Sequence, residues 1–368
     1  MNGPIPVPPI PVNVLTGFLG SGKTTLLRHI LDDPAFAGCA VLINEFGEVG
    51  LDHHLLQRVD EDVVLMQSGC ICCTIRGDLG RAIRSLYDRR EAGTIPAFGR
   101  LIVETTGLAD PIPVLATVMS EPVIRHHFRL GNVVTTVDAV NGAVQLDRQP
   151  EAAKQAAVAD RILLTKTDLA APEAVAALEA RLTAINPAAP LWRSANAPPA
   201  AEILIGSDAF DPATKPAEIR RWFDLARWTG SAAWHRHEHD VNRHDRTIAA
   251  FVLEVEDRVD WTVFGLWLTL LLHGRGDDVL RVKGLLNVAG VDTPVVVQGV
   301  QHIVHAPTHL DAWPDADRRS RLVFITRGFA RAEIERSFAA FQAAFAEAPP
   351  AAPPFAAATL PEIRAVAP

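Results

Sequence analysis

The chain of 368 residues is long enough for two domains, each with its own core. Its 43 Asp and Glu outnumber 35 Lys and Arg, giving a net charge of -8, and no basic run compensates locally, so a nucleic-acid partner is not expected. Four cysteines, three of them crowded between positions 70 and 73, exclude a disulfide framework and point to reduced thiols.

Residues 1–11 are a Pro-rich lead-in without the basic and long apolar regions of a secretory signal, which predicts a cytoplasmic protein. Residues 11–15 read as a buried strand, and residues 25–31 carry apolar side chains at helical spacing. Between them, Gly17-Phe18-Leu19-Gly20-Ser21-Gly22-Lys23-Thr24 fits the pattern of Gly, four residues, then Gly-Lys-Thr. Gly17, Gly20 and Gly22 let the backbone wrap a phosphate chain, with the N–H groups of Ser21 through Thr25 facing it at a helix N-terminus. Lys23 is assigned to the β and γ phosphates and the Thr24 hydroxyl to Mg²⁺.

Further apolar runs at 40–43, 63–66, 101–103, 133–137, 162–164 and 191–192 alternate with helical patterns. That alternation predicts an α/β domain over 12–200, with a mostly parallel sheet, helices on both faces and ligands at the carboxyl ends of the strands. Cys39, at the head of the second run, reads as a small core residue. Three strand ends carry chemistry: Asn44-Glu45, Glu104-Thr105-Thr106-Gly107 and Thr165-Lys166-Thr167-Asp168.

Gly69-Cys70-Ile71-Cys72-Cys73 offers three soft thiolates suited to Zn²⁺ or Cu(I), one ligand short of a tetrahedral site. Inert packing on a strand is the lesser alternative, since adjacent Cys72 and Cys73 would point to opposite faces. Water or a carboxylate could complete the site, and Glu48, which shares the loop after the second strand with Glu45 and Asp52, is the foremost carboxylate candidate. Thr165-Lys166-Thr167-Asp168 is close to the Asn-Lys-x-Asp pattern that reads guanine. Asp168 would accept from the guanine N1–H and N2–H₂ while the Lys166 stem packs on the base, selecting GTP over ATP.

Residues 201–246 form a linker in which His235, His237, His239 and His244 suit auxiliary metal capture or a merely solvated stretch. Residues 247–346 then read as a smaller α+β domain: a strand at 247–255, a helix at 261–272, strands at 279–288, 295–304 and 322–326, and a helix at 331–345. It carries no catalytic constellation, which suggests regulation or docking; His302, His305 and His309 read as polar strand-face or loop residues ahead of metal ligands. The Pro- and Ala-rich tail, 347–368, is expected to be disordered. No apolar run approaches the roughly 20 residues that span a bilayer, so no membrane partner is expected.

Taken together, the loop at 17–25, Asn44-Glu45-Phe46-Gly47-Glu48, Gly69-Cys70-Ile71-Cys72-Cys73, Glu104-Thr105-Thr106-Gly107-Leu108-Ala109-Asp110-Pro111 and Thr165-Lys166-Thr167-Asp168 resemble the CobW family of P-loop GTPases. Leu280-Arg281-Val282-Lys283-Gly284 and Gln298-Gly299-Val300-Gln301-His302 resemble that family's C-terminal domain, so the likeness runs from about residue 12 to 329. The resemblance implies GTP hydrolysis with Mg²⁺, coupled to delivery of Zn²⁺, with Co²⁺ second, to a metalloprotein client, and leaves homo-oligomerisation open. Its other members imply the alternatives of cobalt or iron insertion in cobalamin synthesis or nitrile hydratase activation; a non-enzymatic GTP-responsive metal reservoir or sensor is a further one. It also implies that Cys72 is the firmest ligand, ahead of Cys70 and Cys73. Glu104 stands where many GTPases of this class place Asp, and its longer side chain suits a water on Mg²⁺, while the Gly107 N–H would sense the γ-phosphate. Some relatives carry a further glutamate before the Asn; here Ile43 occupies that place.

Overall fold

The computed structural model describes residues 8–44, 64–68, 75–194, 201–206, 219 and 248–346. Strands β1 (Ile10–Gly17), β2 (Cys39–Asn44), β3 (Val64–Ser68), β4 (Arg100–Glu104), β5 (Phe128–Asp138), β6 (Arg161–Thr165) and β7 (Leu191–Arg193) form one sheet in the order β3-β2-β4-β1-β5-β6-β7. Every neighbouring pair is parallel. Both faces of the sheet are covered, which is why these strands carry apolar side chains at successive positions. Val12, Val14, Ala40, Leu42, Leu101 and Val103 bury on one face, and Leu15, Cys39, Val41, Ile43 and Ile102 on the other. Cys39 is thus core, and burial pushes its thiol up to about 11 against the weaker pull of the Arg100 charge.

The connecting helices are α1 (Lys23–Leu31), α2 (Ile75–Glu91), α3 (Ile112–Ser120), α4 (Pro122–His127), α5 (Gly142–Arg148), α6 (Pro150–Val158) and α7 (Pro172–Ile185). Proline opens α4, α6 and α7 in the first turn, where its missing N–H has no helical partner to lose. α1 covers one face of the sheet with Leu26, Leu27 and Ile30, and α2 and α3 the other with Leu79, Ile83, Leu115 and Val118.

The second sheet is antiparallel and contains β8 (Ile248–Val255), β9 (Val279–Leu286), β10 (Val295–Val300), β11 (Ile303–Val304), β12 (Thr308–His309) and β13 (Ser320–Arg327). Helices α8 (Trp261–Arg275) and α9 (Arg331–Ala346) cover one side, where Phe264, Trp267 and Phe338 pack on Phe251, Val282 and Phe324. Asp260 starts α8 by accepting a hydrogen bond from the Val263 N–H at 2.9 Å. Residues 295–304 are not one strand: the chain reverses at Gln301, whose φ is 47°, and β11 folds back so that Val300 pairs with Ile303. The strand at 279–288 ends earlier too, at Leu286, with Val288 in an isolated bridge to Val259.

The other side of this sheet closes on the first domain. Ala250, Leu280, Val300 and Ile325 share one hydrophobic cluster with Ile112 and Leu115 of α3 and Ala157 and Val158 of α6. Asp160, just after α6, is buried in this seam, where it accepts from Arg281 Nη2 at 2.6 Å, from Lys283 Nζ and from the Val133 N–H at 2.9 Å. Burial alone would raise its pKa, but the Arg281 and Lys283 charges prevail and hold the carboxyl at about 2. His305 lies beside the same group; desolvation, then the Arg281 charge, push it down to about 3, so it stays neutral.

Gly284 shows how tightly the second sheet is assembled. A Cβ there would lie 2.1 Å from the Arg321 carbonyl oxygen on the adjacent strand. Gly284→Ala is expected to cost about 1–3 kcal/mol, as overpacking does, read as a lower urea midpoint at unchanged slope. Among the described residues, no helix is long and apolar enough to cross a membrane.

Candidate functional site

The phosphate-type loop joins the end of β1 to α1 in the centre of the parallel sheet, where strand ends converge. Gly17 is required there by space as well as by its φ of 142°: a Cβ would lie 2.3 Å from Thr136 Oγ1 and 2.4 Å from the Thr136 carbonyl. Gly20 and Gly22 also have positive φ, 70° and 93°. The loop is pinned from below by the Ser21 and Thr136 hydroxyls, 2.7 Å apart, and by Thr165 Oγ1, which donates to the Ser21 carbonyl at 2.8 Å. Thr165, standing in the Asn position of the guanine pattern, therefore ties that segment to the phosphate loop.

Lys23 is mostly buried and its ammonium donates to the Gly17 and Phe18 carbonyls at 2.9 and 3.2 Å, arching across the loop. Thr24 Oγ1 donates to Glu104 Oε1 at 3.1 Å, so the hydroxyl and carboxylate expected to serve Mg²⁺ meet across 80 positions of sequence. Two hard oxygens side by side are a donor set that fits this ion. Thr25, one residue on, is exposed in the first turn of α1.

Beyond Glu104, the Thr105 N–H donates to the Leu15 carbonyl at 2.9 Å and the Thr105 hydroxyl to Thr16 Oγ1 at 2.8 Å. Gly107 then passes so close to the loop that a Cβ would sit 2.4 Å from the Leu19 nitrogen. Only glycine permits this approach of one backbone to another.

At the end of β6, Lys166 adopts a left-handed φ of 56° and its ammonium lies 2.7 Å from Asp138 Oδ2. A lysine in this region costs on the order of 1–2 kcal/mol, and the ion pair and the turn closed by the Leu169 N–H on the Lys166 carbonyl, 3.1 Å, hold it there. Asp168 is exposed on the same turn. Asp138 also accepts from the Val140 and Asn141 N–H groups and the Asn141 amide. Burial works to raise its pKa, yet Lys166 and these donors outweigh it and keep the carboxyl below its ordinary value. Asp138 was not anticipated from the sequence, although it closes the apolar run at 133–137. Inspecting every strand end, including that of β5, would have found it.

Loop, Glu104, Gly107, Lys166 and Asp168 thus come from the ends of β1, β4 and β6 in one sheet. The thiols of Cys70, Cys72 and Cys73, the carboxylates of Glu45, Glu48 and Asp52, the histidines at 235, 237, 239 and 244, and the 347–368 tail lie outside the described residues. Among the described residues, no group of three or more His, Cys, Asp or Glu side chains is placed to hold a metal. His302 Nδ1 donates to the Leu272 carbonyl at 2.7 Å and His309 is exposed on β12.

Residues 11–193 match the family described as CobW/HypB/UreG, nucleotide-binding domain, and residues 248–342 match the one described as Cobalamin synthesis protein cobW C-terminal domain. The sequence is 34% identical over 331 residues to the zinc chaperone YjiA of Escherichia coli (strain K12), covering 90% of this chain and 98% of that one. It is 30% identical to the zinc chaperone CobW of Pseudomonas aeruginosa, over 88% of this chain and 89% of the relative. The crystal structure of Zn(II)-bound YjiA GTPase from E. coli superposes with a TM-score of 0.64 at 29% identity, covering 91% of this chain and 99% of the other.

Proposed function

The chain belongs to the CobW family, and from that premise we propose that it hydrolyses GTP to GDP and phosphate and uses the cycle to deliver Zn²⁺ to a client metalloprotein. The observation that supports it most is the meeting of Lys23, Thr24 and Glu104 at one loop, beside the Lys166 and Asp168 turn. The loop N–H groups cradle the phosphates, and Lys23 exchanges its carbonyl partners for the β and γ oxygens, where it stabilises charge on the transferred group. Thr24 and Glu104 would hold Mg²⁺, which when bound supplies charge neutralisation at those oxygens. Gly107 offers its N–H to the γ-phosphate, so the segment after β4 feels whether hydrolysis has occurred. Asp168 and the Lys166 stem select guanine.

Zn²⁺ is cargo in this reading, taken by Cys72 with Cys70, Cys73 and Glu48; the zinc chaperones among the relatives and the preference of thiolates for this ion support it over cobalt. The test is the Zn²⁺ dissociation constant by chelator competition, with a non-hydrolysable GTP analogue and Mg²⁺ and then with GDP. A difference of at least tenfold, about 1.4 kcal/mol of coupling, is expected, with a reciprocal effect on nucleotide affinity. Equal affinities would remove the coupling, and failure to release phosphate over multiple turnovers would leave a metal reservoir that reads GTP without consuming it.

A further inference from the structure

Helix α6 reaches the γ-phosphate-sensing segment through two consecutive side chains that the phosphate-loop and guanine signatures leave out. Gln155, 1% exposed, donates both amide hydrogens of Nε2, to the Gly107 carbonyl at 3.2 Å and to the Ala109 carbonyl at 3.0 Å. Lys154 Nζ lies 2.7 Å from Asp110 Oδ2, and Asp110 Oδ1 accepts from the Ile112 N–H at 3.0 Å, at the entrance to α3. The orientation of the Gln155 amide is determined by its partners. Turning it over would set Oε1 against two carbonyl oxygens, and Oε1 has no donor among the described residues as it stands. The glutamine's own position is held from the sheet, because Thr135 Oγ1 donates to its backbone carbonyl at 2.8 Å.

Residues 107–110 are therefore wedged between the phosphate loop, which Gly107 touches at Leu19, and α6. A trans peptide carries its C=O and N–H on opposite sides. Fixing the Gly107 and Ala109 carbonyls toward Gln155 consequently aims the Leu108 and Asp110 N–H groups away from α6, and sets the dihedrals that orient the whole turn.

We propose that Gln155, seconded by Lys154, is a positioning residue that holds the Gly107–Asp110 turn ready for the γ-phosphate. The idea rests on the GTPase reading above and deepens it. Ordering a binding segment in advance strengthens binding only of the ligand that touches it. GDP has no γ-phosphate and is indifferent to the turn; GTP is not.

The experiment compares full-length wild-type protein with Gln155→Met, which keeps the side chain's length and removes both donors. Affinities for GDP and for guanosine 5′-(β,γ-imido)triphosphate with Mg²⁺ are measured by fluorescent-nucleotide displacement, alongside phosphate release and thermal unfolding. GDP affinity should stay within about twofold, while the triphosphate analogue binds about tenfold more weakly and kcat falls by a similar factor. Gln155→Glu is the second variant, and covers the event that Gln155→Met does not fold. It should discriminate poorly at pH 8 and regain discrimination at pH 6, as the buried acid takes up a proton and can again donate. An unchanged ratio of the two affinities in both variants, or equal weakening of both nucleotides, would overturn the proposal, the latter marking Gln155 as a support of the fold alone. Absence of guanine-nucleotide binding by the wild type would instead overturn the GTPase reading.

Discussion

Lys23→Ala is expected to lower kcat/KM for GTP by about 10²–10³-fold, the usual cost of removing one preorganised donor from a transition state that accumulates negative charge. The expectation follows from where the side chain already is. Its ammonium spans the loop from the Gly17 to the Phe18 carbonyl, so it needs only to exchange partners within the cradle. Arginine is not a substitute: the planar fork is larger and cannot occupy a point-charge position enclosed by Gly17, Phe18 and the start of α1. The measurement is multiple-turnover phosphate release at saturating Mg²⁺, with thermal unfolding as the control for fold. A loss below tenfold in a folded variant would take Lys23 out of the chemistry.

Asp160→Ala is expected to cost about 3–5 kcal/mol of stability, because it breaks a buried ion-pair network by removing the carboxylate that two buried cations share. Arg281 and Lys283 are each 2% exposed, and neither can turn to water without opening the seam. The pH dependence has a definite sign. The folded carboxyl titrates at about 2, below the ordinary value of about 4, so its contribution is fully present above the latter and is lost as pH falls toward the former. Neighbouring His305, neutral in the fold down to about 3, adds a loss of the same sign between the ordinary imidazole value of about 6.5 and about 3, because the unfolded chain protonates it first, and it is present in wild type and variant alike. Urea midpoints at pH 7, and thermal midpoints from pH 5 to 2, check both parts: the variant should be much less stable at pH 7 and should lose less of its remaining stability on acidification. A destabilisation under about 1 kcal/mol at pH 7 would contradict the account.

Much of this architecture was readable in advance because the information is local. Strand β1, the loop and α1 occupy consecutive residues, and a glycine pattern with a lysine has few other uses. The runs 40–43, 101–103 and 162–164 are apolar on both faces because both faces are covered, and their uninterrupted apolar character declares a buried parallel sheet. Helix α3 is harder: seven of its nine residues are buried, so it lacks a polar face to set its period. The hairpin inside 295–304 was invisible because its turn uses Gln301 and His302, with no Gly, Pro or Asn to mark it. Contacts between distant segments were the least legible. Asp138 with Lys166, Gln155 with Gly107 and Asp160 with Arg281 join residues 28, 48 and 121 positions apart, and no spacing rule links them. The resemblance singled out Leu280-Arg281-Val282-Lys283-Gly284 without saying why. The fold supplies the reason: two of its residues meet Asp160 and a third lets β9 and β13 close.

The seam between the sheets bears on how stability is shared along the chain. Ala250, Leu280, Val300 and Ile325 belong to the same cluster as Val12, Leu42 and Leu115, so no apolar boundary separates the two domains. Topologically the molecule is two sheets; a core shared in this way is expected to make them unfold together. A change that tightens β9 or β13 is expected to raise the cost of opening α3 and α6 as well, since α3, which follows the Gly107–Asp110 turn, packs in part on strands more than a hundred residues downstream.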